Sequence, residues 1–237
     1  MRYPAILAVC LAATGCAYLG NINRVRGDGN IVTVSRPVTN FQQVSVGGAG
    51  DIVLLQGSEE GLTIETDSNL LAYVRTSVSN GHLRIETSNV NLDPTKGLHY
   101  VLKFKNLTGL SCSGAIKAQA GTLKATDLNL EVSGASSVQI DSLQADRLEA
   151  GVNGASHVEL GGAVASQRLQ VSGASKYEAG RLQTGQADVN ATGASYVRLT
   201  VNSRLDADAS GASSIRYGGK GSVRAHTSGA ASIESVD

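Results

Sequence analysis

The sequence has 237 residues, of which 41% are hydrophobic and 4% aromatic, and its 20 basic and 20 acidic residues give a formal net charge of zero. A neutral chain with few aromatic rings argues against nucleic-acid binding, which needs a basic stripe or base-stacking platforms, and stacking platforms for sugars would be equally hard to assemble. Three cysteines are too few for a disulfide framework, and no phosphate loop or nucleotide fingerprint occurs, so we expect no cofactor.

Residues 1–15 are typical of an export signal. The apolar run of residues 5–13 is too short to span a bilayer and leads to Ala13-Thr14-Gly15-Cys16. This segment resembles the lipobox, in which the cysteine is acylated and becomes the first residue of the mature protein. Ala13 departs from the lipobox pattern, which prefers leucine, so ordinary cleavage after Gly15 stays open as the alternative. We predict lipidation at Cys16.

A lipidated cysteine would make the membrane the first partner of this protein. Acylation at Cys16 would hold the chain durably, because two acyl chains already suffice for stable anchoring. Ala17 follows the cysteine in place of aspartate, and in Gram-negative lipoproteins that resemblance implies sorting to the outer membrane. Residues 16–40 would then be a lipidated tether. Its tripeptide Arg26-Gly27-Asp28 is better explained as turn chemistry than as an integrin ligand.

Residues 41–107 form the divergent first part of a main domain that spans residues 41–237. Alternating apolar residues from Phe41 to Leu55 predict a half-buried strand. The stretch Gly47-Gly48-Ala49-Gly50 in its middle looks like a divergent copy of a phrase that recurs later in the chain. Asp67 or Ser68 can cap a short helix, because their side chains accept hydrogen bonds from exposed backbone amides.

Residues 108–237 carry seven copies or near copies of the phrase Ser-Gly-Ala-Ser. The steps from glycine to glycine are 20, 20, 19, 20, 18 and 18 residues. A fixed period near 20 predicts stacked repeats, because one such unit is too small to bury its own apolar face. Apolar residues occupy every second position on both sides of the phrase, so one face stays inward throughout. We expect an all-β solenoid of seven or eight coils, with the phrase at a corner of each coil.

The glycine and the second serine of each phrase are expected to be structural. The serine has inward parity, and coils about 4.8 Å apart let its hydroxyl bond to neighbouring backbone or to the next serine. No histidine or lysine is repeated beside the column to act as a base, which argues against catalytic serines. Cys112 also has inward parity and is expected to be an inert buried thiol. The predicted corner and ladder residues are Gly134, Ser136, Gly154, Ser156, Gly173, Ser175, Gly193, Ser195, Gly211 and Ser213.

The outward columns hold the remaining candidate chemistry. Opposite charges fall on adjacent coils and would help to set the coil register, although each exposed pair contributes only about 0–1 kcal/mol. The expected pairs are Glu149 with Arg168, Arg168 with Asp188, Asp206 with Arg224, Glu178 with Arg198, and Arg216 with Glu234. Asp188, Asp206 and Asp208 are weak candidates for a Ca²⁺ site. The four histidines lack metal-ligand spacing, so we predict no metal centre and no catalytic residue.

The order of these features resembles a known family. The carrying residues are Phe41, Val44-Ser45-Val46-Gly47, Asp51-Ile52-Val53-Leu54, Gly57, Leu62-Thr63-Ile64, Asn69-Leu70-Leu71, Val74 and Gly81-His82-Leu83-Arg84-Ile85, followed by the Ser-Gly-Ala-Ser repeats. They look like the head GIN auto-transporter adhesin family, a domain of unknown function in bacterial surface lipoproteins. The resemblance covers residues 41–237 and implies a right-handed parallel β-helix.

We therefore expect a non-enzymatic envelope or surface lipoprotein that binds a protein or a glycan through its outward columns. A purely structural envelope component and a carbohydrate-active β-helix enzyme are the alternatives. No helix or charged cap follows the last coil before Asp237. Because solenoid ends normally need a polar cap, we expect a second copy or irregular side-chain packing to cover that coil.

Overall fold

The computed structural model describes residues 24–88 and 90–236, so the signal segment and Cys16 lie outside the described residues. The described chain is essentially all-β, as predicted. No helix in this part is long and apolar enough to cross a membrane.

The described chain contains sixteen strands and one short 3₁₀ helix, Ser68–Tyr73, between the fourth and fifth strands. The strands are β1 Arg24–Arg26, β2 Ile31–Arg36, β3 Gln43–Gln56, β4 Gly61–Asp67, β5 Val74–Ser79, β6 His82–Thr87, β7 Asn91–Asp93, β8 His99–Phe104, β9 Gly109–Val132, β10 Ser137–Val152, β11 His157–Val171, β12 Lys176–Ala191, β13 Tyr196–Ala209, β14 Ser214–Gly218, β15 Ser222–Thr227 and β16 Ser232–Ser235.

The repeats form a solenoid in which each turn pairs in parallel with the next. Strands β9 to β13 each run through most of a turn and pair with their neighbours along that length. Seven stacked corners, from Gly114 to Gly229, enclose six turns. The solenoid prediction is confirmed, but the expected seven or eight coils are too many, because each phrase marks a corner and the turns lie between corners.

The divergent glycine stretch stacks on the N-terminal side of the repeats as an eighth corner. Because it precedes the other seven along the chain, we call it the first corner. Strand β3 pairs in parallel with β9, and Gly48 is the register partner of Gly114. Gly48 also has a positive φ of 106°, close to the 92° of Gly114. The chain then leaves the stack after β3 and returns to it at β9.

The excursion between β3 and β9 builds the N-terminal end of the solenoid. Strands β6 and β8 pair in parallel with the first and second halves of β3. Strand β4 joins β8 in antiparallel fashion, β2 joins β4, and β5 joins β6. Antiparallel strands therefore close this end, and the short strands β1 and β7 pair with each other in parallel outside the main sheet.

The core consists of the inward columns of the stacked strands. In the first full coil, Leu128, Leu130 and Val132 are at most 1% exposed, and the same alternation of buried and exposed residues continues to β13. Fully burying one such aliphatic side chain contributes about 1.5–3 kcal/mol. Cys112 belongs to this core, and its burial raises the pKa of the thiol to about 12.

The predicted short helix is present in 3₁₀ form, but its predicted cap is wrong. Asp67 stands at the N-cap position and makes no side-chain bond to the helix. Its carboxylate instead accepts hydrogen bonds from the amides of Gly29 and Thr95 and from the Thr95 hydroxyl, at 2.7–2.8 Å. The Asp67 oxygens that were predicted to cap the helix are thus bonded to donors that are distant in sequence. Ser68, the other predicted cap, donates its hydroxyl to the Asp28 carboxylate instead.

The last coil has an open edge. Every residue of β15 is exposed, including Val223, which has inward parity and keeps 39% of its surface accessible. Within the described residues, β15 pairs only with β13, and β16 pairs only with β14. One side of each of these strands therefore lacks a neighbouring strand in the described part of the chain.

Candidate functional site

The corner glycines stack backbone against backbone. Those of the ladder, Gly134 to Gly211, have φ of 76–82°, a region that L side chains rarely adopt. A Cβ on Gly154 would lie 2.6 Å from the carbonyl oxygen of Gly134. At each later corner, the alanine amide donates to the glycine carbonyl of the preceding coil, as from Ala155 to Gly134 at 2.8 Å. The corners therefore fix the stacking of coils and leave no room for a ligand between them.

Four of the five ladder serines bond to the backbone rather than to one another. Ser156 and Ser213 each donate to the carbonyl oxygen three residues earlier, at 2.8 and 2.9 Å. Ser175 donates to the Gly154 carbonyl at 3.2 Å, and Ser136 accepts from the Ile116 amide at 3.2 Å. The Ser195 hydroxyl is buried without a partner in the described structure. All five are 1% exposed, so they line the core and are not accessible to a substrate.

One side of the solenoid carries charged outward side chains on every coil. We call it the charged face and define it by the outward residues of segments 127–131, 147–151, 166–170, 186–190, 204–208 and 222–226. These segments are register partners from coil to coil, so equivalent positions form straight columns along the solenoid axis. Each step along a column is one strand spacing, about 4.8 Å.

Ion pairs connect neighbouring coils on the charged face. Arg147 lies 3.0 Å from Asp127, and Arg168 lies 3.7 Å from Asp188. Asp206 lies 2.7 Å from Arg204 of its own strand and 3.9 Å from Arg224 of the next coil.

Three of the five expected charge pairs come within 4.0 Å: Arg168–Asp188, Asp206–Arg224 and, on the neighbouring side, Arg216–Glu234. The other two, Glu149–Arg168 and Glu178–Arg198, are adjacent in register, and neither closes to 4.0 Å in the described structure.

A shallow groove follows the charged face along the solenoid axis. The part of the groove with the greatest volume, about 330 Å³, lies between Arg147 and Asp206, with Gln167 and Ala187 at its floor. A depression of about 90 Å³ continues it and shares Glu149 and Arg168 with the wide part. A third depression of about 150 Å³ shares Glu131 and extends the groove to β3. We call this continuous feature the charged groove.

The three aspartates that were candidate Ca²⁺ ligands do not form one cluster. Asp188 and Asp206 are register partners on adjacent coils, whereas Asp208 lies in the next column beside Asn190 and His226. Asp188 and Asp206 each have an arginine partner. Among the described residues, no group of three or more His, Cys, Asp or Glu side chains could hold a metal ion.

The comparisons with known proteins agree with the architecture. Residues 40–221 match the family described as "Putative auto-transporter adhesin, head GIN domain". The chain belongs to this family. No curated protein matches the sequence. The head GIN resemblance predicted from the sequence is thereby confirmed, and it describes a bacterial envelope or surface protein.

Several solved structures share the fold of this head GIN protein. A putative adhesin from Bacteroides fragilis has a TM-score of 0.84 and 21% identity, covering 90% of this chain and 100% of its own. A putative lipid binding protein from Parabacteroides distasonis has a TM-score of 0.77 and 21% identity, covering 91% and 100%. A putative adhesin from the same organism has a TM-score of 0.71 and 23% identity, covering 90% and 100%. At these identities, the similarity shows the fold alone.

The charged groove also contains a contact that the sequence did not reveal. At its β3 end, the Ser45 hydroxyl lies 2.7 Å from His82 Nε2. The two residues belong to β3 and β6, which become neighbours only through parallel pairing, so spacing along the chain gave no signal. His82 has no acidic partner within 4.0 Å in the described part of the chain. The pair therefore lacks the third group that orients a catalytic base.

Glu131 lies where two depressions of the charged groove join. Its carboxylate lies over Gly151, where a Cβ would collide with it. Partial burial raises the pKa of Glu131, and the neighbouring charge of Glu149 raises it further. A cationic group entering here would offset that repulsion.

The tripeptide Arg26-Gly27-Asp28 is a structural turn in this domain. The Ser68 hydroxyl donates to the Asp28 carboxylate at 2.6 Å, and the Asn30 amide donates to it at 3.0 Å. These two hydrogen bonds lower the pKa of Asp28. Gly27 packs directly on the Asp67 carboxylate. The acidic group that a receptor would need is already engaged within the fold.

Proposed function

We propose that this head GIN protein is a lipid-anchored, non-enzymatic module of the bacterial envelope that binds an elongated glycan along its charged groove. The observation that carries the proposal is the continuity of the groove over successive coils, through residues shared by its three parts. A groove of this length suits a polymer better than a small molecule.

The chemistry of the groove favours a glycan over a folded protein. Its arginines and carboxylates present hydrogen-bond donors and acceptors on successive coils. The anchor residues of protein interfaces are typically Trp, Tyr and Arg, and of these the described lining offers arginine alone. Hydroxyl and charged substituents of a glycan can bond to both kinds of side chain without displacing the ion pairs that set the coil register.

Binding of cell-envelope polysaccharides, measured on an array and then by calorimetry, tests this function. The double variant Arg168→Gln with Asp188→Asn removes one ion pair from the groove and leaves the net charge unchanged. We expect its affinity to fall at least tenfold. The matched control, Arg181→Gln with Glu159→Gln, removes an equally charged pair that lies on the neighbouring side. Equal affinities for both double variants, or no glycan bound by the native protein, would contradict the proposal.

A purely structural envelope component remains the second candidate, because the inter-coil ion pairs could serve register alone. In that case, the groove variant should bind every ligand as the native protein does but unfold at lower temperature. Capture of a protein rather than a glycan would place the function in a different class and would also contradict the glycan proposal.

Anchoring at Cys16 is tested separately. The Cys16→Ala variant is expected to leave the membrane fraction and appear in the soluble fraction, because it has no acceptor for the acyl chains. Unchanged partitioning of this variant would refute lipidation at that residue and leave groove binding unaffected.

A further inference from the structure

The coil that precedes the first corner has a long loop where every later coil has a tight turn. In the regular coils, four residues separate the strands that flank a corner, as between Val132 and Ser137. Before the first corner, β6 ends at Thr87 and β8 begins at His99, so eleven residues take that place. Both strands pair with β3 on either side of Gly48 to Gly50. Binding residues occur disproportionately on loops that a rigid scaffold positions.

This loop and the corner at Gly48 line a half-open cavity of about 360 Å³. The volume falls within the range of about 300–1,000 Å³ that is typical of small-ligand sites. Its walls are aliphatic, from Val90, Leu92, Pro94 and Leu98, and Ala49 of the corner forms part of its floor. The described lining holds no aromatic ring, so the walls suit a flexible hydrocarbon better than a flat ring system.

The cavity is preformed, because the loop is held from outside. Strand β7 of the loop pairs with β1, and the Gly27 amide donates to the Asp93 carbonyl at 2.9 Å. Thr95 donates twice to the buried carboxylate of Asp67. A ligand would therefore enter without the cost of ordering the loop first.

Glycines keep the floor of the cavity open to the loop. A Cβ on Gly48 would collide with the Thr87 side chain, and a Cβ on Gly50 would lie 2.5 Å from the Leu98 carbonyl oxygen. Both glycines also have positive φ, at 106° and 144°. Larger residues here would push the loop away and change the cavity.

The rim of the cavity is polar on one side. Asp51 lines the cavity, and its carboxylate lies 3.3 Å from His99 Nδ1. The other ring nitrogen of His99 lies 2.9 Å from the Lys96 carbonyl oxygen, which holds the imidazole in place. These groups can bond to the polar end of a ligand whose hydrocarbon part lies inside.

We propose that this cavity binds one aliphatic chain, with the polar end of the ligand at the Asp51–His99 rim. The site is separate from the charged groove, since the residues that line the two features do not overlap. The chain can come from a free amphiphile or from a membrane lipid, and the two sources share the same chemistry in the cavity.

A tryptophan placed in the cavity wall makes the test direct, because the protein has no tryptophan of its own. The Val90→Trp variant is titrated with decanoate, with decylamine below its micelle concentration, and with phosphatidylcholine vesicles. We expect a saturable blue shift of the emission with at least one of these probes. The control reporter, Val53→Trp, lies on an exposed outward position of β3 away from the cavity and should show no shift.

A second pair of variants separates binding from folding. Leu92→Glu, combined with the reporter, places a charge in the aliphatic wall and is expected to weaken binding at least tenfold. Leu55→Glu makes the same change at an exposed position outside the cavity and should leave binding unchanged. Urea unfolding of each variant checks that it is folded, and Val90→Glu, read by calorimetry, replaces Leu92→Glu if the latter is not.

The outcomes are distinct. A shift with decanoate or decylamine supports a site for free amphiphiles, and a shift with vesicles alone supports a site for lipid chains. No shift with any probe, an equal shift at the Val53→Trp reporter, or unchanged binding in the Leu92→Glu variant would overturn the inference. None of these results depends on glycan binding in the charged groove.

Discussion

Besides the five ladder serines, a buried polar network interrupts the otherwise apolar core of the repeats. Gln167 occupies an inward position where the neighbouring coil has Leu148, and it is 3% exposed. The Tyr177 hydroxyl donates to Gln167 Oε1 at 2.7 Å, and Gln167 Nε2 donates to the Thr184 hydroxyl at 3.0 Å. Burial also raises the pKa of Tyr177, so the phenol stays a donor.

Removing the Tyr177 hydroxyl should destabilise the solenoid. Tyr177→Phe leaves the buried side-chain oxygen of Gln167 without its donor, at a cost of about 1–3 kcal/mol in the free energy of unfolding. Urea denaturation measures this difference. Tyr196→Phe removes the same atom from an outward side chain and should change stability by less than about 0.5 kcal/mol. Equal effects of the two substitutions would show that the network does not contribute.

The corner glycines give a second prediction for single residues. Gly154→Ala would place a methyl group 2.6 Å from the Gly134 carbonyl at a φ of 82°. We expect the free energy of unfolding to fall by about 1–3 kcal/mol, the usual cost of strained backbone. Gly121→Ala is the matched control, because its Cβ would meet no atom within 4 Å and its φ is not positive. Similar unfolding midpoints for the two variants would contradict the structural role of the corner.

At the scale of elements, periodicity predicted the strands beside each corner well and the N-terminal end poorly. Alternation located the core positions on both sides of each corner, but it did not predict the buried residues of the remaining side, Leu123, Leu143 and Leu182, where the phase of the alternation shifts. Alternation does not say which strands pair, and it could not predict that β2, β4 and β5 would close the end in antiparallel fashion. The outward positions of the repeats predicted the columns of the charged face. The cavity beside Gly48 could not be predicted, because it is formed by a loop whose path does not follow from any sequence pattern.

The hydrogen bonds to the Asp67 carboxylate at the N-terminal end of the solenoid give a prediction about pH. Burial alone would raise the pKa of Asp67, but hydrogen bonds from the Thr95 amide and hydroxyl and from the Gly29 amide outweigh it and lower the pKa. The folded state therefore favours the ionised carboxylate. Its contribution to stability is present above the ordinary pKa of 3.8 and is lost as pH falls through the lowered value.

Asp67→Asn should therefore destabilise the protein at pH 7 and flatten the acid side of its stability curve, as followed by thermal unfolding between pH 2 and pH 7. The control Asp146→Asn changes an exposed carboxylate of β10 and should keep the native profile. A native acid profile in the Asp67→Asn variant would show that the hydrogen bonds to Gly29 and Thr95 do not control acid stability.

At the scale of the whole molecule, the open edge of the last coil leads us to predict self-association. Strand edges with unpaired backbone groups are templates for further pairing, and β15 also exposes Val223. We expect a concentration-dependent dimer in light scattering after gel filtration. Val223→Lys should weaken it, whereas Val78→Lys, at an exposed valine of β5, should not. A monomer at all concentrations, with a last coil well protected from hydrogen exchange, would contradict this prediction.

The corner hydrogen bonds also give the solenoid an electrical direction. From Ala135 to Ala230, every corner amide points towards the preceding coil, and every corner carbonyl from Gly114 to Gly211 points towards the next. The peptide dipoles at this edge are therefore aligned, as they are along an α-helix. The edge has a partial positive end at the Gly114 corner and a partial negative end at the Gly229 corner. Each added repeat would lengthen this column without changing its polarity.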